Sequence, residues 1–278
     1  MAKTEKLDKL KKQKKANKLK IMVLGKTGML GHTVFDYLSS LNKYDVIGTD
    51  RHTLDVDKLD GEDIELVFSL SKPDVVINCI GIINKYADDD PYLTFKINGV
   101  FPHLLAHLAK KHDFRLIHIS SDCYLNDDVY GKSKNLGEVH GDNSMTIRTS
   151  IIGFELGLDD KAKNGLLEWF LSQPDKSEVN GYTYAFWDGV TALQLSKFIE
   201  KEVIQKKYGH HIINYRSQEN LTKYNLLLLI SQVFNKNVKI IPDDSVKIDR
   251  RDIYSERWCE VPYIIQLEEL KAWESRQR

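Results

Sequence analysis

Apolar residues fall in short dense runs separated by stretches with helical spacing. Lys20–Leu24, Tyr44–Thr49, Asp74–Gly81 and Arg115–Ser121 are too short for core helices and rich in β-branched residues, so they predict buried strands. His32 to Leu41 is amphipathic at helical period. Strands alternating with helices predict an α/β domain on a doubly wound parallel sheet. Beyond residue 154 the rhythm changes: a helix over Gly165–Ser172, an aromatic-rich segment over Gly181–Thr191, and a helix from Ala192 to about Gln205. A strand at His211–Tyr215, a helix at Thr222–Phe234 and a strand at Val238–Ile241 complete a smaller C-terminal α/β lobe.

The turn after the first strand adds chemistry to this pattern. Gly25-Lys26-Thr27-Gly28-Met29-Leu30-Gly31 joins strand to helix, and glycines there let the backbone approach a pyrophosphate. The helix N-terminus adds free N–H groups and the positive end of its dipole, with Thr27, Met29 and Leu30 between the glycines. Asp50 closes the second strand at about the distance where an acidic residue binds an adenosine ribose. Together these predict a Rossmann-like dinucleotide site. The chain then divides into a basic, flexible extension (1–19), a dinucleotide-binding domain (20–155) and a substrate lobe (156–278) with segments returning to the first domain.

Ser120-Ser121-Asp122-Cys123 ends the strand at 115–121, and Tyr130-Gly131-Lys132-Ser133-Lys134 follows closely. A Tyr and a Lys four apart share one helix face, about 6 Å apart at Cβ, which predicts that the ammonium depresses the phenol pKa. Such a phenol can hand its proton to a developing alkoxide while Ser121 orients the carbonyl. With thirteen tyrosines in the chain, about one or two such spacings are expected by chance. The second one, Tyr92 to Lys96, follows no Ser-ended strand and reads as that chance match.

The glycine turn, Asn78-Cys79-Ile80-Gly81, Asn98, the Ser-Ser-Asp-Cys strand end, Tyr130–Lys134 and Thr146–Gly153 together resemble the extended short-chain dehydrogenase/reductases. Within them the likeness is to dTDP-4-dehydrorhamnose reductases and their UDP-sugar relatives. The resemblance implies that Tyr130 is the general acid, that Lys134 is its tuner and a ribose ligand, and that Ser121 orients the carbonyl. It places Gly25, Gly28 and Gly31 on the pyrophosphate, Asp50, Arg51, Asp55 and Asn78 near the adenosine half, and Gly81 beside the cofactor. Asn98 is a structural helix residue in that family. Cys123, two residues after Ser121, is similar to a cysteine of family members that epimerise before reducing. It implies an added C3 or C3/C5 epimerase step with His140 as a second proton carrier, whereas a cysteine that merely packs is the plain alternative. Only eight residues separate Ser121 from Tyr130, a shorter loop than these reductases carry. A non-catalytic dinucleotide-binding regulator of the same fold is the competing class.

The implied reaction is 4-reduction of a UDP- or dTDP-linked 4-keto-6-deoxy sugar, as in L-rhamnose or 2-acetamido-2,6-dideoxy-L-hexose biosynthesis. Arg51 and Lys26 favour NADP(H), and Asp50 suits NAD(H) as the alternative. In the second lobe Trp187 is expected on the sugar nucleotide, with inter-lobe packing as its rival, and Arg250 on the pyrophosphate.

Charge and cysteine content narrow the setting. Forty basic and forty acidic residues cancel, which excludes a general nucleic-acid binder. Three scattered cysteines suit a reducing, cytoplasmic compartment, and no apolar stretch reaches membrane-spanning length. No metal site is expected, because Asp88–Asp90, His210-His211 and Asp243-Asp244 lack ligand spacing. The Lys-rich start reads as a solvated arm, and a homodimer is the expected assembly.

Overall fold

The computed structural model describes residues 18–156, 165–205, 211–249 and 254–277. The first strand, β1 (Lys20–Leu24), shows how its core forms. Ile21 and Val23 point into one buried cluster while Met22 and Leu24 point into another, so each face of the strand is covered. Each such side chain, fully buried, stabilises the fold by roughly 1.5–3 kcal/mol.

β1 lies in a seven-stranded sheet with β2 (Asp45–Thr49), β3 (Val75–Asn78), β4 (Arg115–Ser120) and β5 (Ser144–Arg148). After β6 (Glu178–Trp187), which belongs to the second lobe, the chain returns to this sheet as β7 (Ile212–Ser217). It leaves again for β8 (Lys239–Ile248) and comes back as β9 (Arg257–Cys259). The order is β9-β7-β5-β4-β3-β1-β2, and every neighbouring pair is parallel. The chain leaves β1 toward β2 and then crosses to β3 on the other side. A crevice therefore opens between the carboxyl ends of β1 and β3, the place where such sheets bind ligands.

Helices cover both faces. Met29–Ser40 (α1) packs on one, and Gly61–Ser71 (α2) with Phe101–His112 (α3) on the other. Asp60 caps α2 by accepting from the Glu62 and Asp63 amides at 2.9 Å each. Val129–Leu136 (α4) carries Tyr130 and Lys134. Leu166–Ser172 (α5), Ala192–Phe198 (α6), Lys223–Phe234 (α7) and Tyr263–Gln277 (α8) follow. The second lobe gathers Phe170, Val179, Leu226, Ile230 and Tyr263 around a core of its own, backed by a small sheet of Leu221–Thr222, β6 and β8.

Five elements depart from the sequence pattern. The aromatic segment is part of a ten-residue strand, β6, and β8 runs seven residues beyond Ile241. α6 passes into a wide π-turn over Ile199–Ile204. β9 and α8 had no assignment: β9 is only three residues long, and α8 buries Tyr263, Leu267 and Leu270 along one stripe.

Candidate active site

The glycine turn opens the crevice. Gly25 has φ +78°, a left-handed conformation that side chains rarely adopt, and a Cβ on Gly31 would lie 2.0 Å from the Gly25 carbonyl oxygen. The helix thus starts pressed against the turn. Gly28 is the N-cap of α1, and no side chain caps the helix there. Thr27, Gly28, Met29 and Leu30 line a cleft of about 570 Å³, which brings uncapped backbone amides to its wall. This arrangement fits a dinucleotide pyrophosphate.

The same cleft contains Ser121, Tyr130 and Lys134, together with Gly81 after β3 and Thr149, Ser150 and Ile151 after β5. Ser121 follows β4 and caps a 3-10 turn (Asp122–Leu125), its Oγ accepting from the Cys123 amide at 3.1 Å. Asp128 caps α4 by accepting from the Gly131 amide at 2.6 Å, which orients the turn bearing Tyr130. Ser121 Oγ also donates to Asp122 Oδ1 at 3.3 Å, and Tyr130 lines the same cleft wall. Lys134 Nζ donates to the Ile119 carbonyl at 2.9 Å. A Cβ on Gly81 would sit 3.6 Å from Lys134 Nζ, so the missing side chain leaves that ammonium open to a ligand.

α4 is held from behind by Asn98, which is buried in a π-turn (Phe95–Val100) leading into α3. Asn98 Nδ2 donates to Ser133 Oγ at 3.2 Å and to the Ile82 carbonyl at 2.9 Å, while its Oδ1 accepts from the Ile82 amide at 2.8 Å. One side chain therefore locks the loop after β3 to α4. Beneath the site, Arg148 makes a paired salt bridge to Glu138, at 2.7 and 2.5 Å, and Ser120 Oγ donates to the same carboxylate at 3.2 Å.

The electrostatics differ from the sequence expectation. Burial pushes the Tyr130 phenol up to about 12; the Ser121 hydrogen bond opposes this, and the negative charges at Cys123, Asp122 and Asp128 reinforce it. Burial brings Lys134 down to about 8, against the pull of Glu138 and Cys79. Lys134 therefore is not among the groups that set the phenol's pKa. Its ammonium turns to the Ile119 carbonyl, and burial dominates at Tyr130.

Residues 19–157, half of the chain, match the family described as the RmlD substrate binding domain. The chain belongs to that family. A dTDP-4-dehydrorhamnose reductase from Aggregatibacter actinomycetemcomitans is 24% identical over 240 residues, covering 76% of this chain and 78% of that one. Among solved structures, a dTDP-4-dehydrorhamnose reductase ortholog from Clostridium acetobutylicum superposes with a TM-score of 0.72 at 20% identity, covering 92% of this chain and 99% of its own. A Bacillus anthracis dTDP-4-dehydrorhamnose reductase in complex with NADP gives 0.69 at 19%, covering 82% and 86%. These structures share the fold, a Rossmann-like sheet with a smaller mixed lobe.

Against this RmlD-family frame, several expected site residues sit elsewhere. Asn78 is fully buried and both its polar atoms are used internally: Oδ1 accepts from the Ile80 amide at 3.1 Å, and Nδ2 donates to His118 Nδ1 at 3.1 Å. It shapes the end of β3 rather than facing a ligand. Trp187 is buried too, stacked on Tyr263 at 5.4 Å, with Nε1 donating to Ser150 Oγ at 2.9 Å. It packs between the lobes and positions Ser150, which does line the cleft. Asp50 turns its carboxylate to the His52 and Thr53 amides, at 3.0 and 3.1 Å, and pairs with Lys26 at 3.5 Å. Arg51 is exposed beside it, and Asp55 pairs with Lys58 at 3.2 Å. Cys123 directs Sγ to Asp122 Oδ1 at 3.6 Å, outside the cleft wall, and His140 is exposed beyond the end of α4. Arg250 and the Lys-rich residues 1–17 lie outside the described residues. Neither Tyr92 nor Lys96 lines the cleft, and Lys96 pairs with Asp57 at 3.8 Å.

Sequence reasoning missed Cys79, Ile82, Ile83, Tyr86, Ser150, Glu155 and Leu156, all of which line the cleft. Most follow the carboxyl end of β3 or β5, and that position was the available signal. Among the described residues no cluster of His, Cys, Asp or Glu could hold a metal ion, and no helix is long and apolar enough to cross a membrane.

Proposed function

We propose that this protein is an NAD(P)H-dependent 4-reductase of a nucleotide-linked 4-keto-6-deoxy sugar, with UDP or dTDP as the carrier. The observation that carries this reading is one cleft holding Ser121, Tyr130 and Lys134 against the uncapped N-terminus of α1. The sugars of L-rhamnose and 2-acetamido-2,6-dideoxy-L-hexose biosynthesis both have the required C4 ketone. The dTDP-4-dehydrorhamnose reductase relative supports this substrate class.

The α1 amides bind the cofactor pyrophosphate, and Lys134 donates to the nicotinamide ribose hydroxyls across the open face of Gly81. When bound, the dinucleotide supplies hydride to C4. Ser121 donates a hydrogen bond to the ketone oxygen and holds it beside Tyr130, whose phenol gives up its proton as the alkoxide forms. Tyr130, raised to about 12, is fully protonated at neutral pH, as an acid working in the reductive direction must be.

The end of β2 supports NADPH as the preferred cofactor. Asp50 is engaged by its own turn and by Lys26, which blunts its competition for ribose hydroxyls, while Lys26 and Arg51 place two cations where a 2′-phosphate would lie. Incubation with UDP- and dTDP-4-keto-6-deoxy sugars, with and without a 2-acetamido group, tests the reading by loss of NADPH absorbance. Tight NADPH binding with no oxidation for any of them would favour the regulatory module instead.

A further inference from the structure

We infer that Tyr86 is the platform on which the pyranose ring of the nucleotide sugar lies. The inference rests on the reductase reading and names the residue that reads its substrate. Tyr86 sits on a short helix (Asn84–Ala87) after β3 and lines the same cleft as Ser121 and Tyr130. Tyr86 is 40% exposed, and Ile83, which also lines the cleft, is 43% exposed.

These apolar side chains project from backbone fixed at both ends. At one end Asn98 bonds both the amide and the carbonyl of Ile82, and at the other Thr94 Oγ1 donates to the Ala87 carbonyl at 3.1 Å. Asn98 and Thr94 belong to one helical run, Pro91–Val100, and Asn98 also holds Ser133 on the catalytic helix. The segment carrying Tyr86 is thereby tied at both ends to the helical run that also holds α4. A large aromatic ring held in the wall of the cleft that contains Tyr130, on a residue still partly exposed, is arranged for a ligand.

The chemistry selects which ligand. A pyranose offers a face of C–H groups that packs on an aromatic ring and a rim of hydroxyls that a phenol can bond. Ile83 and Leu156 line the cleft as apolar surface suited to the methyl group of a 6-deoxy sugar. Lys85 Nζ lies over the Tyr86 ring, 5.6 Å from its centroid, a cation–π contact that helps to hold the ring in place. The short turn from Ser121 to Tyr130 leaves this wall to be built by the segment after β3.

The test compares wild type, Tyr86→Ala and Tyr86→Phe in the full chain. Tyr86→Ala is expected to raise KM for the 4-keto-6-deoxy nucleotide sugar by about tenfold, with kcat within about threefold and NADPH Kd unchanged. Tyr86→Phe keeps the ring and is expected to stay within about threefold of wild type in KM. An unchanged KM in Tyr86→Ala overturns the inference, as does a parallel rise in NADPH Kd, which would assign the ring to the cofactor. Saturation-transfer NMR with dTDP-glucose and UDP-glucose on the NADPH-loaded protein separates the two readings. Sugar-ring saturation seen in wild type and lost in Tyr86→Ala supports the platform even where no ketone is reduced, and no binding by wild type overturns both readings.

Discussion

A Cβ placed on Gly131 would lie 2.6 Å from the carbonyl oxygen of Cys123, so the turn after Ser121 rests directly on the first turn of the catalytic helix. The carbonyl of Asn126 is equally close, at 2.5 Å. This contact explains how eight residues suffice between Ser121 and Tyr130: the connection folds flat against α4 and is pinned there by the Asp128 cap. Gly131→Ala must push backbone from backbone and is expected to cost about 1–3 kcal/mol of stability. It should also separate Ser121 from Tyr130 and lower kcat by about 100-fold, with NADPH affinity kept within a few-fold. Thermal unfolding and steady-state kinetics read the two effects.

Lys134 and Tyr130 predict an unusual pH profile. Lys134 titrates at about 8 in the folded, cofactor-free protein, below its ordinary value of 10.5, and Tyr130 only at about 12. NADPH affinity should be flat below pH 8 and weaken above it as the ammonium is lost, while the acid stays protonated throughout. Lys134→Met removes that alkaline limb and binds NADPH weakly at every pH. In the stability of the cofactor-free protein the sign is reversed. Between pH 8 and 10.5 the unfolded chain holds a proton that the native chain has released, so this group makes wild type more stable as pH rises relative to Lys134→Met. A limb at pH 8 that persists in Lys134→Met would refute the assignment.

Asn98 predicts a structural loss with a catalytic consequence. Asn98→Ala leaves the Ile82 amide and carbonyl and Ser133 Oγ without their partner, and should destabilise the protein by about 2–4 kcal/mol. Denaturant unfolding measures this. KM for the sugar should rise as well, because the segment carrying Ile83 and Tyr86 is released from α4.

Arg51→Ala is expected to raise KM for NADPH by about tenfold and leave KM for NADH unchanged, since an exposed guanidinium beside Asp50 serves a 2′-phosphate alone. Equal effects on both cofactors would remove Arg51 from the adenosine site.

The parts of the fold that were legible in the sequence are those set by local pattern. β1, β3 and β4 declare themselves because a strand buried on both faces must be apolar throughout, and the glycine turn because Gly25 and Gly31 answer a dihedral and a close approach that few other residues could. Ser121, Tyr130 and Lys134 were found as a spacing and are brought to one cleft by the parallel pairing of β3, β4 and β5. What was misread depends on long-range partners. Trp187 looks like a ligand platform until Tyr263, far along the chain, stacks on it, and Asn78 looks available until His118 takes its amide. The tuning of Tyr130 was misjudged for the same reason: a helix spacing shows Lys134 nearby, but burial and the acids at 122 and 128 decide the outcome. Tyr86 was missed because a four-residue helix is too short to show a period, and the anchors at Asn98 and Thr94 that hold its segment are distant in sequence.

Hydride transfer from deuterium-labelled NADPH to the sugar tests the central claim most directly. Wild type incubated with a UDP- or dTDP-linked 4-keto-6-deoxy sugar is predicted to place deuterium at C4, and Tyr130→Phe to do so slower by about 10²–10⁴-fold while binding NADPH as tightly. Deuterium at C4 at an unchanged rate in Tyr130→Phe, or none in wild type despite bound cofactor and sugar, would contradict the account.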